Sequence, residues 1–242
     1  MQDIISEPNH DVSITQALTQ VHHRINQACT SSGRDQTEVR LLAVSKTKPL
    51  SAVNQAYQLG QRHFGENYLQ DALEKIEHCM FGDVCWHFIG AIQSNKTKTI
   101  AHSFDWVHTL DRLKIARRLS EQRPDNMAPL KVLIQVNISQ EKNKNGVALA
   151  DLDELVAAVD VLPNLALCGL MCIPAATQDV DQQSHAFNQM TTTRDRLNKS
   201  YPQLTELSMG MSGDLDSAIA CGATMVRIGT DIFGARNTHA EQ

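Results

Sequence analysis

Val39-Arg40-Leu41-Leu42-Ala43-Val44-Ser45-Lys46 is a near-continuous apolar run of strand length that ends on a lysine. A strand with one wet face alternates apolar and polar residues, whereas a run without alternation is covered on both faces, as in the parallel sheets of α/β proteins. Upstream, Ile14, Leu18, Val21, Ile25 and Ala28 recur at three- and four-residue spacing from Ser13 onward, which predicts a helix that stops at Ser31-Ser32-Gly33. Downstream the alternation repeats. Candidate strands fall near 40–45, 61–65, 86–90, 105–109, 130–138, 166–173, 205–209 and 225–229. Candidate helices fall at 50–60, 67–79, 94–102, 111–122, 150–161, 180–200 and 214–221, with a short terminal helix or tail after Gly234. Repeated β-then-α order implies parallel strands with crossover helices, and eight such units in 242 residues predict a single α/β (β/α)8 barrel, a TIM barrel. Its expected extent is 13–236, after a flexible N-terminus at 1–12 and before a tail at 237–242. An open doubly wound sheet is the alternative, but the chain has no G-x-G-x-x-G or G-x-x-x-x-G-K-[ST] motif to support a nucleotide-binding version of it.

Composition narrows the function classes. With 42% hydrophobic and 20% charged residues the chain is an ordinary globular one. Its 27 acidic and 22 basic residues give a net charge of −5, spread along the sequence, which argues against a nucleic-acid footprint while leaving room for a local anion site. Six cysteines (Cys29, Cys79, Cys85, Cys168, Cys172, Cys221) form no C-x-x-C pair and read as reduced core thiols, hence a cytoplasmic location. The N-terminus has no secretory pattern, and the longest uncharged run, Val161 to Gln178, contains Pro163 and Pro174 and makes a poor membrane span.

Active residues of such a barrel lie where strands run into loops on the C-terminal face. Lys46 leaves the first strand there. An amine emerging from an apolar interior is desolvated, which favours its neutral nucleophilic form and condensation with an aldehyde; a snorkelling or ion-paired lysine is the alternative. Lys48 reads as exposed or as a second cationic contact. The stretch Ser208-Met209-Gly210-Met211-Ser212 after the seventh strand, with Gly229 and Thr230 after the eighth, forms a candidate phosphate cradle, although each glycine alone is more often only a turn. Arg227, inside the apolar run Met225-Val226-Arg227-Ile228, needs a partner when buried, either a ring nitrogen or a carboxylate such as Glu66. His87 reads more readily as a core histidine than as a catalytic one. The other histidines lack metal-ligand spacing, and Cys168 with Cys172 reads as core, so no metal is expected.

Taken together, Leu42-Ala43-Val44-Ser45-Lys46-Thr47-Lys48-Pro49, Phe64-Gly65-Glu66-Asn67-Tyr68, Trp86-His87-Phe88-Ile89-Gly90, Gln93-Ser94-Asn95-Lys96, Gly169-Leu170-Met171, Leu207 to Ser212 and Arg227-Ile228-Gly229-Thr230 with Ile232-Phe233-Gly234 resemble the pyridoxal phosphate homeostasis protein family. That family is in turn similar to the N-terminal barrel of alanine racemase. The resemblance runs from about Ile14 to Arg236. It implies pyridoxal 5'-phosphate held as a Schiff base on Lys46, with Arg227 facing the pyridine nitrogen. It also implies that Ser208, Met209, Gly210, Met211, Ser212, Ile228, Gly229 and Thr230 surround the phosphate, that Asn67 and His87 lie near the ring, and that Lys144 belongs to a lysine-glycine segment of undefined role. Ala91 stands where the family usually has proline, and Asp231 where a small or apolar residue is more familiar; Asp231 would alter the charge near the phosphate.

An arginine beside the pyridine nitrogen disfavours its protonation and weakens the ring as an electron sink. Racemisation needs a base on each face, and the partner-subunit domain that supplies the second in alanine racemase has no counterpart in this sequence. The leading expectation is therefore a monomeric cofactor carrier that buffers pyridoxal phosphate and supplies apo-enzymes, with indirect effects on amino-acid and keto-acid pools. Two alternatives stand beside it: a low-activity amino-acid racemase, and an interaction protein in which Lys46 is incidental.

Overall fold

A computed structural model describes residues 13–139, 141 and 145–235. The chain begins with α1 (Ile14–Ser31), whose first turn is capped by the Ser13 side chain and whose apolar stripe of Leu18, Val21 and Ile25 is buried. There follow β1 (Arg40–Val44), α2 (Leu50–Gln58), β2 (His63–Glu66), α3 (Leu69–His78), β3 (Cys85–Phe88), α4 (Thr97–Ser103), β4 (Trp106–Leu110) and α5 (Leu113–Gln122). The second half supplies β5 (Leu130–Val136), α6 (Leu152–Asp160), β6 (Leu165–Cys172), α7 (Val180–Asn198), β7 (Glu206–Ser208), α8 (Leu215–Ala220), β8 (Met225–Ile228) and α9 (Thr230–Phe233). The strands join in chain order into a closed barrel, β1 pairing with both β2 and β8, every pair parallel. The open-sheet alternative is thereby removed.

Two layers of side chains follow from strand alternation. One set, including Leu41, Ala43, Phe64 and Phe88, packs outward beneath the helices in the main core, while Trp106, Leu133, Met171 and Met225 form a second cluster that Cys85 and Cys168 join. Closure leaves no sheet edge to protect. No helix among the described residues is long and apolar enough to cross a membrane.

Several boundaries differ from the sequence pattern for identifiable reasons. The second strand starts at His63 rather than 61, because the buried Gln61 amide donates to the Leu41 and His63 carbonyls and serves as a side-chain brace. The predicted terminal helix lies before Gly234, whose φ of 75° ends it. The N-terminal segment 1–12, Lys144, Arg236 and the tail 237–242 lie outside the described residues.

Candidate functional site

Lys46, Asn67, Gly229 and Thr230 follow the ends of β1, β2 and β8, which places them at the C-terminal end of the barrel, where a cavity of about 320 Å³ opens. Half-buried Lys46 and Asn67 and buried Arg227 are among its polar lining. Val44, Ile89, Met171 and Ile173 give it an apolar side, and a pocket of this size and mixed character suits a small flat ligand with a few fixed polar groups.

The backbone around Lys46 is held on both sides. Thr47 adopts φ 61°, a left-handed conformation that costs a residue with a Cβ roughly 1–2 kcal/mol. The Lys48 amide closes the turn by donating to the Ser45 carbonyl at 3.1 Å. The same carbonyl accepts from the Lys75 ammonium at 2.7 Å, and Lys75 also reaches Glu66 Oε1 at 2.7 Å. Glu66 additionally accepts from the Ser45 hydroxyl at 2.6 Å. Burial raises the Glu66 carboxyl above its ordinary value, with Lys75 acting in the opposite direction. This pair lies between β2 and α3, so Glu66 is not the partner of Arg227.

Arg227 instead donates to Ser208 Oγ at 2.8 Å and to the Cys172 carbonyl at 2.9 Å, and no carboxylate pairs with it among the described residues. The buried cation thus keeps its charge directed at neutral acceptors. Behind it runs a ladder of imidazoles: Ser208 Oγ meets His108 Nδ1, His108 Nε2 meets His87 Nδ1, and His87 Nε2 meets His63 Nδ1, each at 2.9 Å. Arginine only donates, so Ser208 accepts from it and is left with its own hydrogen to offer to His108 Nδ1 as one orientation of the hydroxyl. His108 then carries its proton on Nε2 and donates to His87, which in the same way donates to His63. With the Ser208 hydroxyl so oriented, the three tautomers follow from one another, and they reverse together if His108 donates to the second lone pair of Ser208. Burial holds His87 and His108 well below the usual imidazole range and lowers His63 to about 4, so the ladder is neutral near pH 7.

His87 is therefore a rung inside the barrel and does not line the cavity, contrary to its placement beside a bound ring. Ser208 stands one layer below the cavity as the acceptor for Arg227, while Met209 and Ile228 face the helix-side core. Gly210 shapes the rim: with φ 94°, a Cβ there would sit 2.5 Å from Ala218 Cβ, so only glycine lets the loop after β7 lie against α8. That loop is pinned further by Asp214, which accepts from the Met211 amide at 2.6 Å, and by Arg24, which donates to the Ser212 carbonyl at 2.7 Å. Met211, Ser212, Gly229 and Thr230 do reach the cavity. Lys48 lines it too, with its ammonium 2.7 Å from the Ala235 carbonyl. Asp231 is drawn toward Arg24, at 4.0 Å, which offsets its charge.

Sequence patterning missed His108, His63, Lys75 and the strained Thr47. His108 was legible in principle, since Trp106-Val107-His108 places its imidazole on the same strand face as Trp106, but a histidine in an apolar strand carries no signal of its partners.

A family model described as the alanine racemase N-terminal domain matches residues 17–237. The chain is 52% identical over 227 residues to the pyridoxal phosphate homeostasis protein of Escherichia coli K12, covering 93% of this chain and 97% of the relative. It is 50% identical over 235 residues to the protein of the same name from Haemophilus influenzae, covering 96% and 99%. Among solved structures, PipY of Synechococcus elongatus with pyridoxal phosphate bound aligns with a TM-score of 0.80 at 34% identity, covering 92% of this chain and 100% of PipY.

Proposed function

Because this chain belongs to the pyridoxal phosphate homeostasis protein family, we propose that it binds pyridoxal 5'-phosphate covalently through Lys46 and acts as a carrier of that cofactor in the cytoplasm. The observation that carries this reading is the convergence of the Lys46 amine, the carboxylate-free Arg227 and the pinned loops after β7 and β8 on one cavity. The chain's own polar atoms fit the group. Asn67 Oδ1 is buried without a hydrogen-bond partner, which costs free energy that a ligand donor would recover. Gly229 lies against β1, where a Cβ would come within 3.2 Å of the Val44 carbonyl, so a side chain would crowd β1 and glycine leaves backbone along this wall.

In this proposal Lys46 holds the aldehyde carbon, Arg227 faces the pyridine nitrogen, and Ser212, Gly229 and Thr230 hold the phosphate with Met211, while Ser208, Met209, Gly210 and Ile228 support that wall. When bound, the cofactor supplies an electrophilic ring system able to stabilise negative charge on an attached amine. Arg227 restrains that capacity, because a guanidinium fixed by Ser208 and the Cys172 carbonyl cannot hand the ring nitrogen a proton as an acid would. The neutral ladder behind it offers no acidic proton at neutral pH either. A restrained cofactor suits storage and delivery better than turnover, and the barrel at 13–236 acts as one monomeric unit whose recipients are apo-enzymes that use the same cofactor.

Incubating the cofactor-loaded protein with an apo-transaminase and, separately, with single alanine enantiomers tests this. The expected result is recovery of transaminase activity in proportion to cofactor delivered, with each enantiomer unchanged. Inversion of many equivalents of alanine per protein would establish a racemase and overturn the carrier reading.

A further inference from the structure

The sequence offers no metal-ligand spacing, yet the fold assembles one at the end of the barrel opposite the cavity. β2 and β3 are adjacent and parallel, with His63 opposite Cys85 and Gly65 opposite His87. Cys85 and His87, two residues apart, share a strand face. The donor atoms of His63, Cys85 and His87 all lie within 4.8 Å of one another, the single such group among the described residues. His63 Nδ1 is 2.9 Å from His87 Nε2, and Cys85 Sγ is 3.4 Å from the same nitrogen. Around a tetrahedral ion with metal–nitrogen bonds of about 2.0 Å and a metal–sulfur bond of about 2.3 Å, two nitrogens stand about 3.3 Å apart and nitrogen and sulfur about 3.5 Å apart. The two His87 separations thus lie within about 0.4 Å of those values, and side-chain rotation of the half-buried His63 and Cys85 would bring the third pair, which is within 4.8 Å, toward them.

We propose that His63, Cys85 and His87 form a binding site for one soft, thiophilic cation, with Cu(I) favoured over Zn(II). Thiolate and imidazole are the ligands such ions select, and no hard carboxylate ligand completes the set. Charge decides between the two ions. His87 stacks on Trp106, with ring centroids 5.4 Å apart, and the same indole carries Lys131 Nζ at 5.1 Å and the Arg40 guanidinium at 5.9 Å. A divalent ion with one thiolate keeps a net positive charge beside these cations, whereas a monovalent ion with one thiolate is neutral. Glu206, 3.4 Å from Arg40, and Asp105, which accepts from the Trp86 amide beside Cys85, offset part of that field, while the charges acting on His63 are those of Arg40 and Lys131. His63 and Cys85 are half-buried at the starts of their strands, which leaves a route from solvent, while His87 closes the inner side. Binding forms a metal–sulfur bond with release of the Cys85 thiol proton, while the ladder reverses without net proton loss. The hydrogen on His87 shifts to Nδ1 and is donated to His108 Nε2, and that on His108 shifts to Nδ1 and is donated to Ser208 Oγ, whose second lone pair accepts it beside Arg227.

The site lies away from Lys46, so its test is independent of the cofactor. Reduced protein, and separately its Lys46→Ala variant, is titrated anaerobically with Cu(I), and in parallel with Zn(II), each against a chromophoric chelator. The expected result is one equivalent of Cu(I) bound in both proteins, with tenfold or greater weakening in Cys85→Ser and in His63→Gln and no change in Cys79→Ser. Circular dichroism identifies any variant that fails to fold, and half-buried His63→Gln carries the test if Cys85→Ser does so. Stoichiometric Cu(I) binding that survives both substitutions, binding lost equally in Cys79→Ser, or no saturable binding would each overturn the site. Tighter Zn(II) than Cu(I) binding would overturn the choice of ion.

Discussion

Lys46→Ala is expected to abolish the visible absorption of the cofactor-loaded protein and its bleaching by borohydride. The amine is the covalent link in the proposed site, and no other residue on the cavity wall is placed to substitute for it. Lys48, the nearest alternative, directs its ammonium to the Ala235 carbonyl. Lys46→Arg distinguishes nucleophile from charge, because a guanidinium remains protonated and cannot condense with an aldehyde. Both variants should lose the band, while Lys48→Ala should keep it. Contacts from Arg227 and the loops after β7 and β8 remain in all three, so weak reversible retention of the cofactor by Lys46→Ala is part of the expectation. An unchanged reducible band in Lys46→Ala would refute the assignment.

Lys75→Met is expected to cost about 3–5 kcal/mol, the range for leaving one member of a buried ion pair uncompensated. Lys75 meets Glu66 Oε1 and the Ser45 carbonyl, each at 2.7 Å, and Glu66 is fully buried with Oε2 already lacking a partner. The variant removes the Lys75 cation paired with that carboxylate and frees the carbonyl that precedes Lys46. The loss should depend on pH in a definite direction. Burial already raises the folded Glu66 pKa above 4.5, and removal of Lys75 raises it further. A raised carboxyl binds protons more readily in the folded state than in the unfolded state, so stability falls as pH rises from the unfolded value through the folded one. Urea unfolding should therefore show a smaller deficit for Lys75→Met at pH 4 than at pH 8, and Glu66→Gln in the same chain should recover part of the loss at pH 8. A deficit under 1 kcal/mol at pH 8 would show that the pair contributes little.

The barrel was legible because its signals are local. Val39 to Val44 reads as a strand covered on both faces without knowledge of its neighbours, and its position alone puts Lys46 just past the C-terminal end of that strand. Interior pairing was not legible, since it depends on register around a closed sheet. Glu66 looked available to Arg227, but the pleat turns it outward under α3 to Lys75, and Arg227 rests on Ser208 and a carbonyl. His87 gave the same appearance as a ligand and as a ladder rung, because His63 and His108 reach it from adjacent strands. The loops after β7 and β8 fall between these extremes. Their glycines and hydroxyls mark a candidate cradle in the sequence, while the hydrogen bonds with Asp214 and Arg24 that pin the loop after β7 become visible only in three dimensions.

The most direct test of the account is to load the protein with pyridoxal phosphate, reduce it with borohydride, digest it and locate the modified lysine by mass spectrometry. One reduced cofactor per chain, on Lys46, is the predicted outcome. Modification spread over surface lysines, or placed on Lys48 with Lys46 untouched, would contradict it.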